Sequence, residues 1–433
     1  MATAALAAPI GTAQPAKVQA SPCENRLSPP PPVDTSEQVP AGTKPPSPLE
    51  VPESPVGGDR MGECGLVLPP NAQALPDDIT AQGWLLADMD TGSVLAAYDP
   101  HGRQRPASVI KVLLAMVVAK ELPLDATVVA TQEDLDQECT CVKLRLGGEY
   151  NVQQLLQALV MMSGNDVAHA LARRLGGVPS AVRKMNAMAA ELGALDTRAI
   201  TPSGLDAPGT STSAYDVAVI FRAAMKYPDF AKAISTERID FPAANGNGTT
   251  PVINDNKLLA TYEGALGGKT GFTDDAQHTY VGAAEREGRR MMVVLLRGQT
   301  EPVRITDQAA RLLDYGFALK GTANVGKLVD GAPQVQKKPT EAKTTESNVA
   351  PGQAANQKPN KTAMSSAFGN VGLPITAVAA LGVLLGLVMY VRTRRAKAAR
   401  ARRNATAAAA VSPSPAAQPQ AQPQPGGTVG PPL

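Results

Sequence analysis

The sequence predicts an α+β fold: one antiparallel sheet flanked by helices, with a helical segment inserted between its first and last strands. Two observations carry this. Residues 83–98 and 279–296 each hold a pair of short apolar runs about a turn, and the stretch between them reads almost wholly as helix. Strands at both ends of a domain fit a single mixed-layer unit better than a repeating βαβ pattern.

The 433 residues would allow two or three domains, yet 38 prolines and 38 glycines restrict the packed part to about 250 residues. The net charge of +2 hides a local excess, since Arg392, Arg394, Arg395, Lys397, Arg400, Arg402 and Arg403 form one block. That block has no interleaved aromatics and only 3% of the chain is aromatic, which argues against a nucleic-acid partner.

Residues 1–20 are alanine-rich and end Val18-Gln19-Ala20, similar to the cleavage site of an export signal. They lack a basic start and a strong apolar centre, so they read as a weak or truncated signal. Residues 21–70 form an arm whose 11 prolines between 21 and 58 rule out a regular core and suggest an extended, polyproline-like spacer. The domain that follows spans 71–320.

Its first hairpin joins Trp84-Leu85-Leu86-Ala87-Asp88-Met89 to Val94-Leu95-Ala96-Ala97-Tyr98 through Asp90-Thr91-Gly92-Ser93. A helix entered at Pro106-Ala107-Ser108 continues as the apolar run 112–119. Residues 152–162 have helical spacing and stop at Ser163-Gly164-Asn165; 166–175, 180–192 and 212–225 make three further helices. Strands 279–284 and 291–296 flank the charged turn Glu285-Arg286-Glu287-Gly288-Arg289-Arg290, and 303–315 is an amphipathic helix.

Residues 321–367 are poor in large apolar side chains and read as a tether. Residues 368–391 then read as one membrane-crossing helix, because 371–391 is mostly Val, Leu, Ala and Gly and no charge falls between Lys361 and Arg392. The basic block sets the orientation, giving a single-pass protein with its large domain outside the membrane and 392–433 as a cytoplasmic Pro/Ala/Gln-rich tail. Cys23, Cys64, Cys139 and Cys141 suit an oxidising compartment and allow three pairings. The favoured set is Cys23 to Cys64, stapling the arm to the domain, and a tight Cys139 to Cys141 link. With three histidines, none near a cysteine, a metal site is not expected.

Lys111 is the only charge between Arg105 and Lys120, in a helix too apolar to lie on a surface. Ser108 lies one turn before it on the same face, within reach of a hydrogen bond. Desolvation lowers an amine's pKa, and a neutral lysine can take the proton of a serine hydroxyl, so the pair is a nucleophile with its own base. Ser163-Gly164-Asn165 follows in a break between helices, and Lys269-Thr270-Gly271 in a glycine-bracketed strand. The order S-x-x-K, S-x-N, K-T-G is one shared by penicillin-binding proteins and serine β-lactamases. A substrate ending in a carboxylate needs a cation and a hydroxyl donor, which Lys269 and Thr270 provide. Bare Gly267-Gly268 would let an extended peptide pair along that strand.

From Gly83 to Leu319 the chain resembles the serine-type D-alanyl-D-alanine carboxypeptidases, the low-molecular-mass penicillin-binding proteins of peptidase family S11. The motifs are Arg105-Pro106-Ala107-Ser108, Met162-Ser163-Gly164-Asn165-Asp166, Thr201-Pro202-Ser203-Gly204-Leu205 and Gly267-Gly268-Lys269-Thr270-Gly271-Phe272-Thr273. The resemblance implies a β-lactamase/transpeptidase-like fold. It also implies removal of the terminal D-alanine from peptidoglycan stem pentapeptides through a Ser108 acyl-enzyme, acylation by β-lactams, and no cofactor. It makes Lys111 the base, Ser163 a proton relay, Asn165 an orienter of the substrate amide, Lys269 and Thr270 the carboxylate holders, and the N–H groups of Ser108 and Phe272 the oxyanion hole. The motif context Gly271-Phe272 belongs to the same substrate-binding strand. A class A β-lactamase is disfavoured because no E-x-x-x-N follows the second motif: Glu191 precedes Leu-Gly-Ala-Leu, and Glu237 and Glu263 lack that context. A membrane-tethered penicillin sensor without turnover is the other alternative, against which the tail carries no domain of its own. A Ser-His-Asp hydrolase has no G-x-S-x-G elbow to build on, and His278 reads as a strand residue near the site.

Overall fold

The computed structural model describes residues 23–39, 42–319 and 324–332. The expected signal at 1–20, most of the tether, the apolar run 371–391 and the tail 392–433 lie outside the described residues. Among the described residues no helix is long and apolar enough to cross a membrane.

The chain enters with β1 (Leu66–Val67), β2 (Gly83–Asp88) and β3 (Ser93–Tyr98). β2 and β3 form the expected hairpin with Trp84 opposite Tyr98. Its turn is fixed by Asp88, whose carboxylate accepts from both the amide and hydroxyl of Thr91, and by Gly92 in the left-handed region. A 3₁₀ turn, Ala107–Ile110, leads into α1 (Lys111–Glu121), then β4 (Thr127–Val129), α2 (Gln132–Leu135) and β5 (Glu149–Asn151). The helical part continues with α3 (Val152–Met162), α4 (Asn165–Arg174), α5 (Val178–Leu192), α6 (Ala214–Ala224) and α7 (Pro228–Ile234). After the ribbon β6 (Arg238–Pro242) and β7 (Thr249–Ile253) and the short α8 (Leu258–Thr261) come β8 (Ala265–Thr273), β9 (Gln277–Arg286) and β10 (Arg289–Gly298). α9 (Ile305–Ala318) and β11 (Gly326–Lys327) complete the described part.

The main sheet is antiparallel throughout, in the order β1-β3-β2-β10-β9-β8 with β11 also on β3. Both of its faces are covered, which explains why β10 reads as an unbroken apolar run. Met291, Val293 and Leu295 face α9 through Ala309, Leu312 and Leu313, while Met292, Val294 and Leu296 belong to the larger core with α1 and α6. α1 is buried from Lys111 to Val118, as its lack of a polar face requires.

Two expectations are corrected. The charged turn after β9 is two residues long, because Glu285 and Arg286 pair with Arg290 and Arg289 and extend both strands. Glu287 and Gly288 both take positive φ there, which suits the twist of a two-residue hairpin. The proline-rich arm has no regular element before Asp59 among the described residues, as expected, but it is no free spacer. Both expected disulfides are present, and Cys23–Cys64 ties the arm's start to the domain. The buried Arg103 guanidinium donates to the carbonyls of Leu27, Leu49 and Glu50, and Arg105 makes a two-pronged contact with Glu37.

Candidate active site

Ser108 sits in the 3₁₀ turn rather than in α1 itself, so its backbone N–H lies ahead of the regular helix ladder. Ala107, just before it, is held at φ +46°, a position the surroundings enforce: Thr279 donates its hydroxyl to Pro106 O at 3.0 Å. β8 passes so close that a Cβ on Gly271 would lie 2.8 Å from the Ser108 nitrogen and 2.4 Å from Thr279 Oγ1. Only glycine leaves room for a substrate atom against that N–H.

Lys111 is fully buried, and its ammonium meets three acceptors: Ser108 Oγ at 2.8 Å, Asn165 Oδ1 at 2.7 Å and the Ser203 carbonyl at 2.6 Å. The third partner explains the Thr201-Pro202-Ser203-Gly204 motif. Gly204 takes φ +86°, and a Cβ there would come within 2.0 Å of Ala107 O, so glycine allows this loop to close over the lysine. Burial first, then the Lys269 ammonium, hold the Lys111 pKa well below the ordinary 10.5, against the opposing pull of Asp255 and Asp166. A group so placed sheds its proton more readily than an ordinary lysine, and once neutral it can accept one from Ser108.

Ser163 ends α3 in the left-handed conformation, φ +61°, which turns its side chain away from the helix and toward Ser108 and Asn165 in one cleft. Its buried hydroxyl has no hydrogen-bond partner among the described residues. An unsatisfied buried hydroxyl is costly, and a part in the reaction would account for its being kept. Asn165 begins α4 and is held by the 137–148 loop, donating from Nδ2 to Glu138 O at 2.6 Å.

On β8, Thr270, Gly271 and Phe272 line the cleft, with Phe272 half exposed and tilted against His278. Lys269 sits just behind the lining: its side chain is fully buried, donates to Thr270 O at 2.7 Å and lies 3.8 Å from the cleft residue Asp255. Burial lowers its pKa, while Asp255 acts to raise it. Thr270 meanwhile donates its hydroxyl to Asp255 at 2.8 Å. The Lys269 ammonium and the Thr270 hydroxyl thus meet at one carboxylate oxygen of Asp255, a residue of the cleft wall.

The cleft holds about 560 Å³ and includes residues the sequence did not single out: Asp255, Asp206, the Glu138–Thr140 loop and, from the arm, Asp34 and Ser36. Only the Cys-x-Cys spacing signalled any of these beforehand. His101 and His169 are occupied elsewhere with Asp196 and Asp134, and His278, pushed down in pKa by burial, is the one histidine on the cleft.

The family described as D-alanyl-D-alanine carboxypeptidase, Peptidase S11, matches residues 70–300. The D-alanyl-D-alanine carboxypeptidase DacB2 of Mycobacterium tuberculosis is 48% identical over 266 residues, covering 60% of this chain and 90% of the relative. The crystal structure of D-alanyl-D-alanine carboxypeptidase from Mycobacterium tuberculosis H37Rv aligns with TM-score 0.58 at 47% identity, covering 60% of this chain and 100% of that one. The Streptomyces K15 DD-transpeptidase aligns with TM-score 0.54 at 30% identity, covering 57% of this chain and all of its own. Together with a buried lysine bonded to a serine at the head of an antiparallel-sheet cleft, these matches mean that the chain belongs to peptidase family S11 and is a serine D-alanyl-D-alanine carboxypeptidase.

Proposed function

We propose that Ser108 is the nucleophile, Lys111 its base, and the terminal D-alanine of a peptidoglycan stem peptide the leaving group. The observation that carries this is the 2.8 Å contact between Ser108 Oγ and a fully buried amine with a depressed pKa. Neutral Lys111 takes the hydroxyl proton as Oγ bonds to the penultimate carbonyl carbon. The N–H groups of Ser108 and Phe272 face the oxygen that becomes negative. The peptide C–N bond then breaks, and the leaving amine receives the proton by way of Ser163. Water, deprotonated along the same route, releases the shortened peptide and restores Ser108. Thr270 grips the terminal carboxylate with Lys269 charged behind it. A β-lactam would enter by the same attack and stop at the ester.

The reading extends to location. An apolar 371–391 followed by seven cationic residues supports a single-pass anchor, with the catalytic domain outside the membrane and 392–433 inside. Incubating the full chain with a stem pentapeptide should release one D-alanine per peptide, and Ser108→Ala should release none. Free D-alanine at an undiminished rate from the variant would refute the assignment. Protease added to wall-stripped cells should free the domain; cleavage only after lysis would reverse the topology.

A further inference from the structure

We infer that the small disulfide ring Cys139–Cys141 is a positioning element for Asn165, and through it for Lys111 and Ser108. The inference rests on the assignment of those two residues as base and nucleophile.

Residues 137–148 contain no helix or strand, so regular backbone bonding does not fix their course. The disulfide encloses a single residue, Thr140, and Glu138, Cys139 and Thr140 all border the cleft. The carbonyls on either side of Cys139 are the two that hold Asn165. Thr140 O accepts its backbone N–H at 2.7 Å, and Glu138 O accepts from Nδ2 at 2.6 Å.

The second bond decides which way the amide points. A carboxamide's oxygen and nitrogen ends are nearly the same shape, so packing alone cannot choose between them; hydrogen bonding can. With Nδ2 committed to Glu138 O, Oδ1 must face Lys111, where it accepts at 2.7 Å. A loosened loop would let the amide flip and set an N–H donor against the lysine's own donors. The chain of contacts is short and continuous: ring, carbonyl, Asn165, Lys111 Nζ, Ser108 Oγ. Asp166 supports the far side of the loop by accepting from the amides of Val142 and Leu144, but neither bond reaches Glu138 or Thr140. On the near side Gln137 is anchored by its amide to Asp134 O and its Nε2 to Glu133 O, and the ring adds the covalent tie between the residues on either side of Thr140.

The test is the acylation rate of the full-length chain by a fluorescent penicillin, before and after treatment with a phosphine reductant. Misplacing a catalytic group by about 1 Å costs up to about a hundredfold, so reduction should slow acylation by roughly ten- to a hundredfold. The double variant Cys23→Ser/Cys64→Ser should show the same loss on reduction. Cys139→Ser/Cys141→Ser should be slow already and indifferent to reductant. On an Asn165→Ala background the ring should no longer matter, so reduction should cost nothing further. The charged groups acting on Lys111, namely Lys269, Asp255 and Asp166, stay in place. Losing the Oδ1 acceptor disfavours the ammonium, so the acid limb of the pH profile should move to lower pH, which a purely structural staple would not cause. Unchanged acylation after reduction, a full loss persisting without Asn165, or a loss that tracks global unfolding would each overturn the proposal. Failure of the underlying assignment would look different, as penicillin labelling that survives Ser108→Ala.

Discussion

Replacing Lys269 with methionine tests how a buried charge serves the cleft beside it. Methionine keeps the apolar stem in its fully buried slot, while the ammonium's hydrogen bond to Thr270 O and its 3.8 Å pairing with Asp255 are lost. A hydrogen bond to a charged group contributes about 1.5 to 3 kcal/mol. If that energy is realised on the substrate carboxylate in the transition state, kcat/KM should fall roughly 10- to 150-fold. The same substrate with its terminal carboxylate amidated has no anion to attract, and should lose much less. A second signature concerns Lys111. Lys269 pushes the Lys111 pKa down and Asp255 pushes it up, so removing the first and unpairing the second both favour the ammonium. The neutral base is then reached only at higher pH, and the acid limb of kcat/KM should shift upward. The assay is release of the terminal residue from matched acid and amide peptides across a pH series. Equal losses for both peptides with a stationary limb would refute the reasoning.

Three further outcomes are expected. Labelled penicillin should attach to Ser108 alone, so a covalent adduct on Ser108→Ala, read by mass spectrometry, would sink the nucleophile. Lys111→Met and Lys111→Arg should both abolish acylation in folded protein, since neither side chain can take a proton; in the wild type kcat/KM should rise with pH through a limb below the ordinary lysine value of 10.5, because the base works only once its depressed pKa is passed. Glu37→Gln should weaken the arm's grip on Arg105, seen as faster proteolysis between residues 30 and 50 with the catalytic rate changed less than the cutting rate.

What the sequence disclosed follows from what is local. Ser108 and Lys111 are three residues apart, and a lone cation in an apolar helix has few explanations, so the centre of the site was legible. The two hairpins of the main sheet were equally so, each being a pair of short apolar runs about a turn. The joining of β2 to β10, with Leu86 opposite Val293, is a pairing between distant segments that no local pattern encodes. The strands β4 and β5 have three residues each, too few for any period to show. In the site, Ser203 acts through its carbonyl and Glu138 through its carbonyl, so their side-chain identity carries no signal. Asp255 is a single carboxylate in a loop, like many others. Lys269 and Thr270 were read as partners from their adjacency, but that both meet at one carboxylate, Asp255, depends on a loop distant in sequence.

The clamping of the arm separates two boundaries that are easily taken as one. Recognisable kinship begins near residue 70, but the chain is already tied to the domain at Cys23. A protein shortened to the recognisable part would keep Arg103, which is only 1% exposed, with its Asp196 partner but without the carbonyls of Leu27, Leu49 and Glu50. The same cut would uncover that guanidinium, so water would replace the lost acceptors, and the loss of three charge-assisted bonds and of the covering chain would destabilise the protein from a point far from the chemistry. It would also take away the stretch of cleft wall that Asp34 and Ser36 provide. Ancestry and self-sufficiency are thus drawn at different residues, and the proline-rich prelude belongs to the enzyme's working body.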